Sequence, residues 1–396
     1  MTTLTNLYPE LLDNIVFFLP PTDLIHLSYT SKHFHHFIHP VRIWSRAFQH
    51  LASCENVPPS LDLSTATRSD ILHEVKRIIC RERNWRRGLV TRVHDVPARM
   101  GVINQLTVDG SSLVSVGVAS NYLQLWQLPE LVLQQEFLAP IQYRLVAVAV
   151  SSENNVVVAG TQAGPVYVWP IGGEALNRNR RTLHGHTDRV GCLEFLRDGT
   201  GRIVTGSWDR RVIVWDVTAG AKLEEFDTGR QILGMHLHGS VLQTFHTDAR
   251  VTRYSFPDLN ILYSHRLPAR GKSRARVGVG DAGLFFCASG NRRGVCYPLS
   301  GPSWEIDAPK QIGAASLDGL HRRVVVLTEM CKTVEEAARV WSFGMGKEGL
   351  VPLKATDEQV ERVLRCNLWG DIIALAVVDG GIVVGTEYGR LVMLEF

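Results

Sequence analysis

IVTGSWDRRVIVWDV, residues 203–217, sets two runs of β-branched residues on either side of a short polar turn and closes on Trp215-Asp216. Continuous apolar runs of this length, bounded by turn residues, predict buried strands, and Ser-Trp-Asp-Arg between them predicts a hairpin. Gly185-His186 lies upstream, with His186 29 residues before Trp215. Four side chains can then hydrogen-bond in series: His186 in the loop before the first strand, Thr205 or Ser207 on the second, Asp209 in the turn and Trp215 on the third. A buried polar chain persists only when each member is satisfied, so the pattern predicts a hairpin fastened by side chains to the loop that precedes it.

Outward from this stretch the same strand ending recurs. An aromatic closes NYLQLWQL at Trp126, GPVYVWPI at Trp169, ARVTRYSF at Tyr254, RRGVCYPL at Tyr297 and AARVWSF at Trp341, at intervals of 39 to 46 residues. VVVAGTQAGPVYVW (156–169) and IVVGTEYGRLVML (382–394) share a Gly-Thr-x-x-Gly turn, which supplies a seventh copy. Such a period marks stacked repeats. The third copy resembles the WD-repeat family, and that resemblance implies a β-propeller of four-stranded blades. Seven blades are predicted over 88–396. Only the third keeps the His186/Asp209/Trp215 set with Thr205 and Ser207; the others read as degenerate, with apolar packing in place of the polar chain.

The seventh copy reaches Phe396 directly after its third strand, and a three-stranded blade would expose an edge and leave the ring open. GLVTRVHDV, residues 88–96, alternates Leu89, Thr91 and Val93 against Val90, Arg92 and His94, and is the predicted fourth strand. That closure is expected to tie the preceding helices to the propeller.

The N-terminal part is helical. Leu7, Leu11, Ile15 and Leu19 recur every fourth residue, one face of a helix. Pro9 suits its first turn, Pro20-Pro21 ends it, Thr22 is placed to cap a second helix and Ser31 a third. Six of the eight residues from Leu12 to Leu19 are apolar, more than one buried face needs, so a partner surface is expected. The segment from Leu-x-Pro-Glu-Leu through Asp23-Leu24 and Ser31-Lys32 to Trp44 resembles the F-box family. The resemblance implies a domain over 1–48 that docks on the Skp-type adaptor, and through it the cullin, of SCF ubiquitin ligases. Leu7, Pro9, Leu11, Ile15, Leu19, Leu24, Leu27 and Trp44 are the adaptor-binding residues it implies.

Residues 49–87 are predicted as a helical linker. A stripe of Ile71, Leu72, Val75, Ile78 and Ile79 follows Ser69 as its expected cap, and Asn84-Trp85-Arg86-Arg87-Gly88 resembles the junction at which F-box linkers enter a propeller. With 396 residues and a net charge of +3 the chain has ample core and no electrostatic case for nucleic acid. It lacks an uninterrupted apolar span for a membrane and a basic start before its first apolar run, so no membrane and no secretory signal are expected. Seven irregularly spaced cysteines without CxxC predict buried thiols in a reducing compartment, cytoplasmic or nuclear.

Catalytic signatures are sparse. GVGDAG (278–283) matches GxGxxG, but the strand LFFCAS follows where a dinucleotide site needs a helix N-terminus. His33, His35, His36 and His39 have no cysteine or carboxylate to complete a metal set. No catalytic residue, metal or other cofactor is predicted. Arginines gather on the face shared by entry loops and hairpin turns: Arg210, Arg211, Arg250, Arg292, Arg293 and the loop HRLPARGKSRAR (265–276). Guanidinium forks there would attract acidic or phosphorylated protein segments. Arginines number 34 against 8 lysines across the chain, however, so composition alone supplies many of them. F-box/WD-repeat receptors of phosphorylated segments often carry arginine just before the turn aspartate. The matching positions here are Ala119, Gln162, Trp208, Thr247, Gly290 and Glu387, none of them arginine, which argues against phosphate reading by that arrangement; Trp208, a large aromatic at a rim position, is the expected anchor for an unmodified peptide. Trp208, Arg210, Arg250, Arg292 and Arg293 form the expected substrate site. The implied function is a non-catalytic substrate receptor. A WD-repeat scaffold outside ubiquitin transfer and a propeller hydrolase are the alternatives.

Overall fold

The computed structural model describes residues 21–30, 41–54, 62–172 except 119, 180–266 and 380–396, the strands between 275 and 378, and the single positions 16, 19, 32, 34 and 38. The chain divides into two compact units, 1–86 and 87–396.

In the first unit, helices α1 (Pro21–Thr30), α2 (Val41–Cys54) and α3 (Arg68–Arg87) share one core built on Leu24, Ile43, Trp44, Phe48, Ile71, Val75 and Ile78. The apolar stripe foreseen on α3 thus lies in the same core as the helices before it. The helix expected as linker therefore completes the N-terminal core, and 1–86 forms one unit. Two caps also differ. Helix α1 begins at Pro21 itself, whose missing N–H costs nothing in a first turn. Helix α3 is capped by Thr67 instead of Ser69, because Asp70 closes a reciprocal box: its carboxylate accepts from the Thr67 N–H at 2.9 Å and hydroxyl at 2.6 Å. The Asp70 N–H in turn donates to the Thr67 hydroxyl at 3.3 Å. Leu7, Pro9, Leu11, Ile15, Ser31 and the histidines 33, 35, 36 and 39 lie outside the described residues. Cys80 is exposed on α3, against the expectation of buried thiols, whereas Cys192 is buried and its thiol is pushed up to about 12 by desolvation with Glu194 nearby.

The second unit is a propeller. The described strands form seven four-stranded antiparallel sheets and a two-stranded parallel pair. Blades 1 to 6 run in chain order from 103, 145, 190, 232, 275 and 312, and blade 7 from 372. Their innermost strands touch in a closed cycle in which 372–378 meets 103–109. Each sheet is packed between two others, so central strands such as Ile203-Val204 and Val212-Ile213-Val214 are buried on both faces. The β-branched runs fit that environment. The described residues of GVGDAG lie on two antiparallel strands, with Gly280 paired to Gly283.

Blade 7 takes its outer strand from Arg92–Pro97, paired antiparallel with 390–395 from Arg92↔Glu395 to Pro97↔Arg390. Asp95 accepts both arms of Arg390 at 2.8 and 2.7 Å, and His94 meets Glu395 at 2.6 Å. The closing strand is shorter than 88–96. Leu89 and Val90 leave this sheet and pair in parallel with Lys354 and Ala355. Thr91, whose N–H and hydroxyl both reach the Glu395 carbonyl, marks the point of departure.

A candidate recognition face on the propeller

Blade 3 shows how the loops are held to one face. The Trp215 indole N–H donates to Thr205 Oγ1 at 2.8 Å, and Thr205 Oγ1 lies 2.8 Å from His186 Nε2. His186 Nδ1 lies 2.8 Å from Asp209 Oδ2. One hydrogen at each step satisfies the series if Thr205 donates to Nε2 and Nδ1–H donates to the carboxylate. Asp209 also accepts from the N–H groups of Thr187 and Arg211. Burial alone would raise its carboxyl, but the hydrogen bonds from His186 and from the Thr187 and Arg211 N–H groups hold it at about 2. Gly185 precedes the histidine because a Cβ there would lie 2.8 Å from the Trp215 ring. Ser207 stands outside the series: its hydroxyl donates to the Asp188 carbonyl and accepts from the Asp209 N–H.

The other blades keep pieces of this staple. Trp126 donates to Ser115 at 2.9 Å in blade 1. In blade 2 the matching position is Ala159, and the buried Trp169 indole N–H has no acceptor among the described residues. Blade 4 has lost the set but keeps a polar contact from a new position, which corrects the expectation of apolar packing in its place. His246 comes from the second strand, with Nε2 2.9 Å from Thr244 Oγ1, and the buried Tyr254 stands opposite Leu242 where Trp215 stands opposite Ile203 in blade 3. Desolvation holds His246 below its ordinary value, and Asp248 takes its loop partner from Arg230 at 2.9 Å.

Entry loops and hairpin turns therefore share a face, and a cavity of about 410 Å³ opens there where blades 1, 2 and 3 meet. Asn104, Val118, Arg144, Leu145, Val146, Gln162 and Arg189 line it. Arg144 and Arg189 precede the first paired residues, Leu145 and Val190, of successive blades, one repeat position used twice. Neither guanidinium donates a hydrogen bond to an acceptor among the described residues. Trp208 is half-buried, with the Arg189 guanidinium 5.3 Å from its ring centre, so it steadies a cavity arginine as well as offering an edge to solvent. Ile141, Val118 and Tyr388 are exposed on the same loops and turns.

The expected substrate residues separate on this face. Arg210 is exposed at the turn with φ 73°, a left-handed conformation that glycine takes at the matching Gly164 and Gly389. Arg250 is drawn onto Ser264 at 3.2 Å and Asp248 at 3.8 Å, leaving its guanidinium in a local polar cluster. Arg293 begins a blade 5 strand, and Arg292 lies outside the described residues. Arg144, Arg189, Asn104 and Val118 were missed, although aligning the repeats on their first strands would have shown the repeated arginine. In the helical unit, Leu24 and Trp44 are 2% and 1% exposed. Both lie in the core of the helical unit, while Leu19 and Leu27 are only half-buried against that core. No group of three metal-ligating side chains converges among the described residues, and no described helix is long and apolar enough to cross a membrane.

A family model for the F-box domain matches residues 4–46, and one for the WD domain, G-beta repeat, matches 177–216. The chain combines the two modules of an F-box/WD-repeat family. Protein groucho of Drosophila melanogaster and transducin-like enhancer protein 2 of Mus musculus are each 33% identical over 135 residues. That is 33% of this chain and 17% of either relative, so the likeness covers a minor part of each. Among solved structures, the crystal structure of RRP9 WD40 repeats superposes with TM-score 0.57 at 16% identity, covering 76% of this chain and 97% of that one. The likeness is one of fold.

Proposed function

We propose that this protein is the substrate-recognition subunit of an SCF-type ubiquitin ligase. The observation that carries the reading is the presence, on one chain, of an F-box and a propeller with an open, arginine-lined cavity on its loop face. The F-box would engage a Skp-type adaptor and through it a cullin. The propeller face would hold a protein segment, with Arg144 and Arg189 meeting its acidic groups, Val118 and Ile141 its apolar ones, and Trp208 keeping Arg189 in place. Such a subunit does no bond chemistry. It raises the effective concentration of substrate lysines near the ubiquitin-loaded partner, and its working compartment is the cytoplasm or nucleus.

Affinity purification tests this directly. Wild type should retain adaptor and cullin and carry ubiquitinated proteins; a chain lacking residues 4–46 should lose adaptor and cullin and accumulate unmodified substrates. A wild-type preparation with neither adaptor nor cullin would instead make the chain a WD-repeat scaffold.

A further inference from the structure

We propose that the outer edge of blade 4 is a strand-addition site for an extended acidic segment of a partner protein. Strand Ile261–Arg266 ends that sheet; it pairs on one side with Arg250–Ser255 and on the other with no strand among the described residues. All six residues are exposed, and Ile261, Leu262 and Tyr263 expose 66%, 58% and 49% of their surface. An open edge of this kind offers a row of unpaired backbone groups to any chain able to extend along it.

The neighbouring edges are guarded. In blade 3 the outer strand Ala221–Asp227 carries Lys222, Glu224 and Glu225, with Glu225 paired to Lys222 and Arg211. In blade 1 the strand Val132–Leu138 is engaged by blade 2, through Gly172 N–H to Gln135 and Arg180 to the Leu138 carbonyl. Blade 2 ends in three residues, and blade 7 in a strand that carries Arg92 and Asp95 and closes on Pro97. Ile261–Arg266 has neither lysine, carboxylate nor proline.

The sign of the occupant follows from what borders the edge. Arg250 and Arg266 are opposite one another in register, His265 stacks on Tyr263 at 6.2 Å, and the Arg253 guanidinium lies 5.7 Å from the Tyr263 ring. From 261 to 276 the sequence holds five Arg or Lys and no Asp or Glu. A second copy of this chain would set those cations against themselves, whereas an acidic strand with apolar alternation would satisfy charge and the exposed Leu262 and Tyr263 together.

The test uses the full chain and a labelled ten-residue peptide of alternating glutamate and valine, followed by fluorescence anisotropy. A peptide with proline in place of valine carries the same charge and cannot pair along an edge. The glutamate-valine peptide should bind at least tenfold more tightly than the glutamate-proline one, and the L262K/Y263K variant should lose that preference. An Arg144→Glu variant should leave it intact, which separates this edge from the loop face. Equal binding of the two peptides, full binding by L262K/Y263K, or dimerisation of the chain through this edge in sedimentation would each overturn the proposal.

Discussion

Thr205 is the residue on which blade 3 turns, since it accepts from Trp215 and meets His186 with the same oxygen. Thr205→Val keeps the shape and strands both partners. With each orphaned buried group costing about 1–3 kcal/mol, the loss should be roughly 2–6 kcal/mol, read as a lower urea midpoint. Conversely, Ala159→Ser supplies the acceptor that Trp169 lacks and should add about 1 kcal/mol. Asp209 gives a pH signature. Its folded carboxyl titrates at about 2 against 3.8 when unperturbed, so its contribution is complete above roughly pH 4 and is lost as pH falls toward 2. Unfolding measured from pH 5 to pH 2.5 should show a steeper loss in wild type than in Asp209→Asn. The sequence named every member of this set yet could not choose between Thr205 and Ser207, because residues two apart on a strand share a face. His246 escaped notice for a related reason: the imidazole comes from the strand, whereas the motif seeks it in the loop.

At the scale of elements, the closing strand was legible because a three-stranded blade has an unsatisfied edge and only one alternating segment was spare. Its exact extent was not, since the parallel pairing of Leu89 and Val90 with 354–355 is a long-range contact without local signal. The cap of α3 was misplaced for want of weighing Asp70, whose carboxylate selects Thr67. The Asp95–Arg390 pair offers a test of the closure. Asp95→Ala or Arg390→Ala should each cost about 1–3 kcal/mol as a two-armed charged contact breaks. The exchange D95R/R390D should recover part of that loss in a double-mutant cycle, and no recovery would mean that the pair is incidental to closure.

For the molecule as a whole, the seven-bladed count followed from the repeat period, while the candidate recognition face depended on loops whose convergence no period encodes. Trp208 lay within reach of sequence reasoning as a large aromatic at the rim. Its contact with Arg189 did not, because entry loop and turn meet only in the folded blade. Arg189→Glu and Trp208→Ala should each weaken substrate capture by roughly 2 kcal/mol while leaving the adaptor bound. Because the two side chains touch, the double variant should lose less than the sum, as measured by titration of a captured substrate fragment.

Asp95 and Arg390 are 295 residues apart. During synthesis the ribosome must therefore deliver nearly the whole propeller before its first strand can find its last, and the ring has no closed intermediate to rest in. The helical unit, by contrast, is complete once α3 has emerged. If the proposed function holds, a chain interrupted late in translation would carry a finished helical unit attached to an unsealed wheel, able to occupy an adaptor while holding no client, so premature termination near the C-terminus would yield a competitor rather than a mere absence.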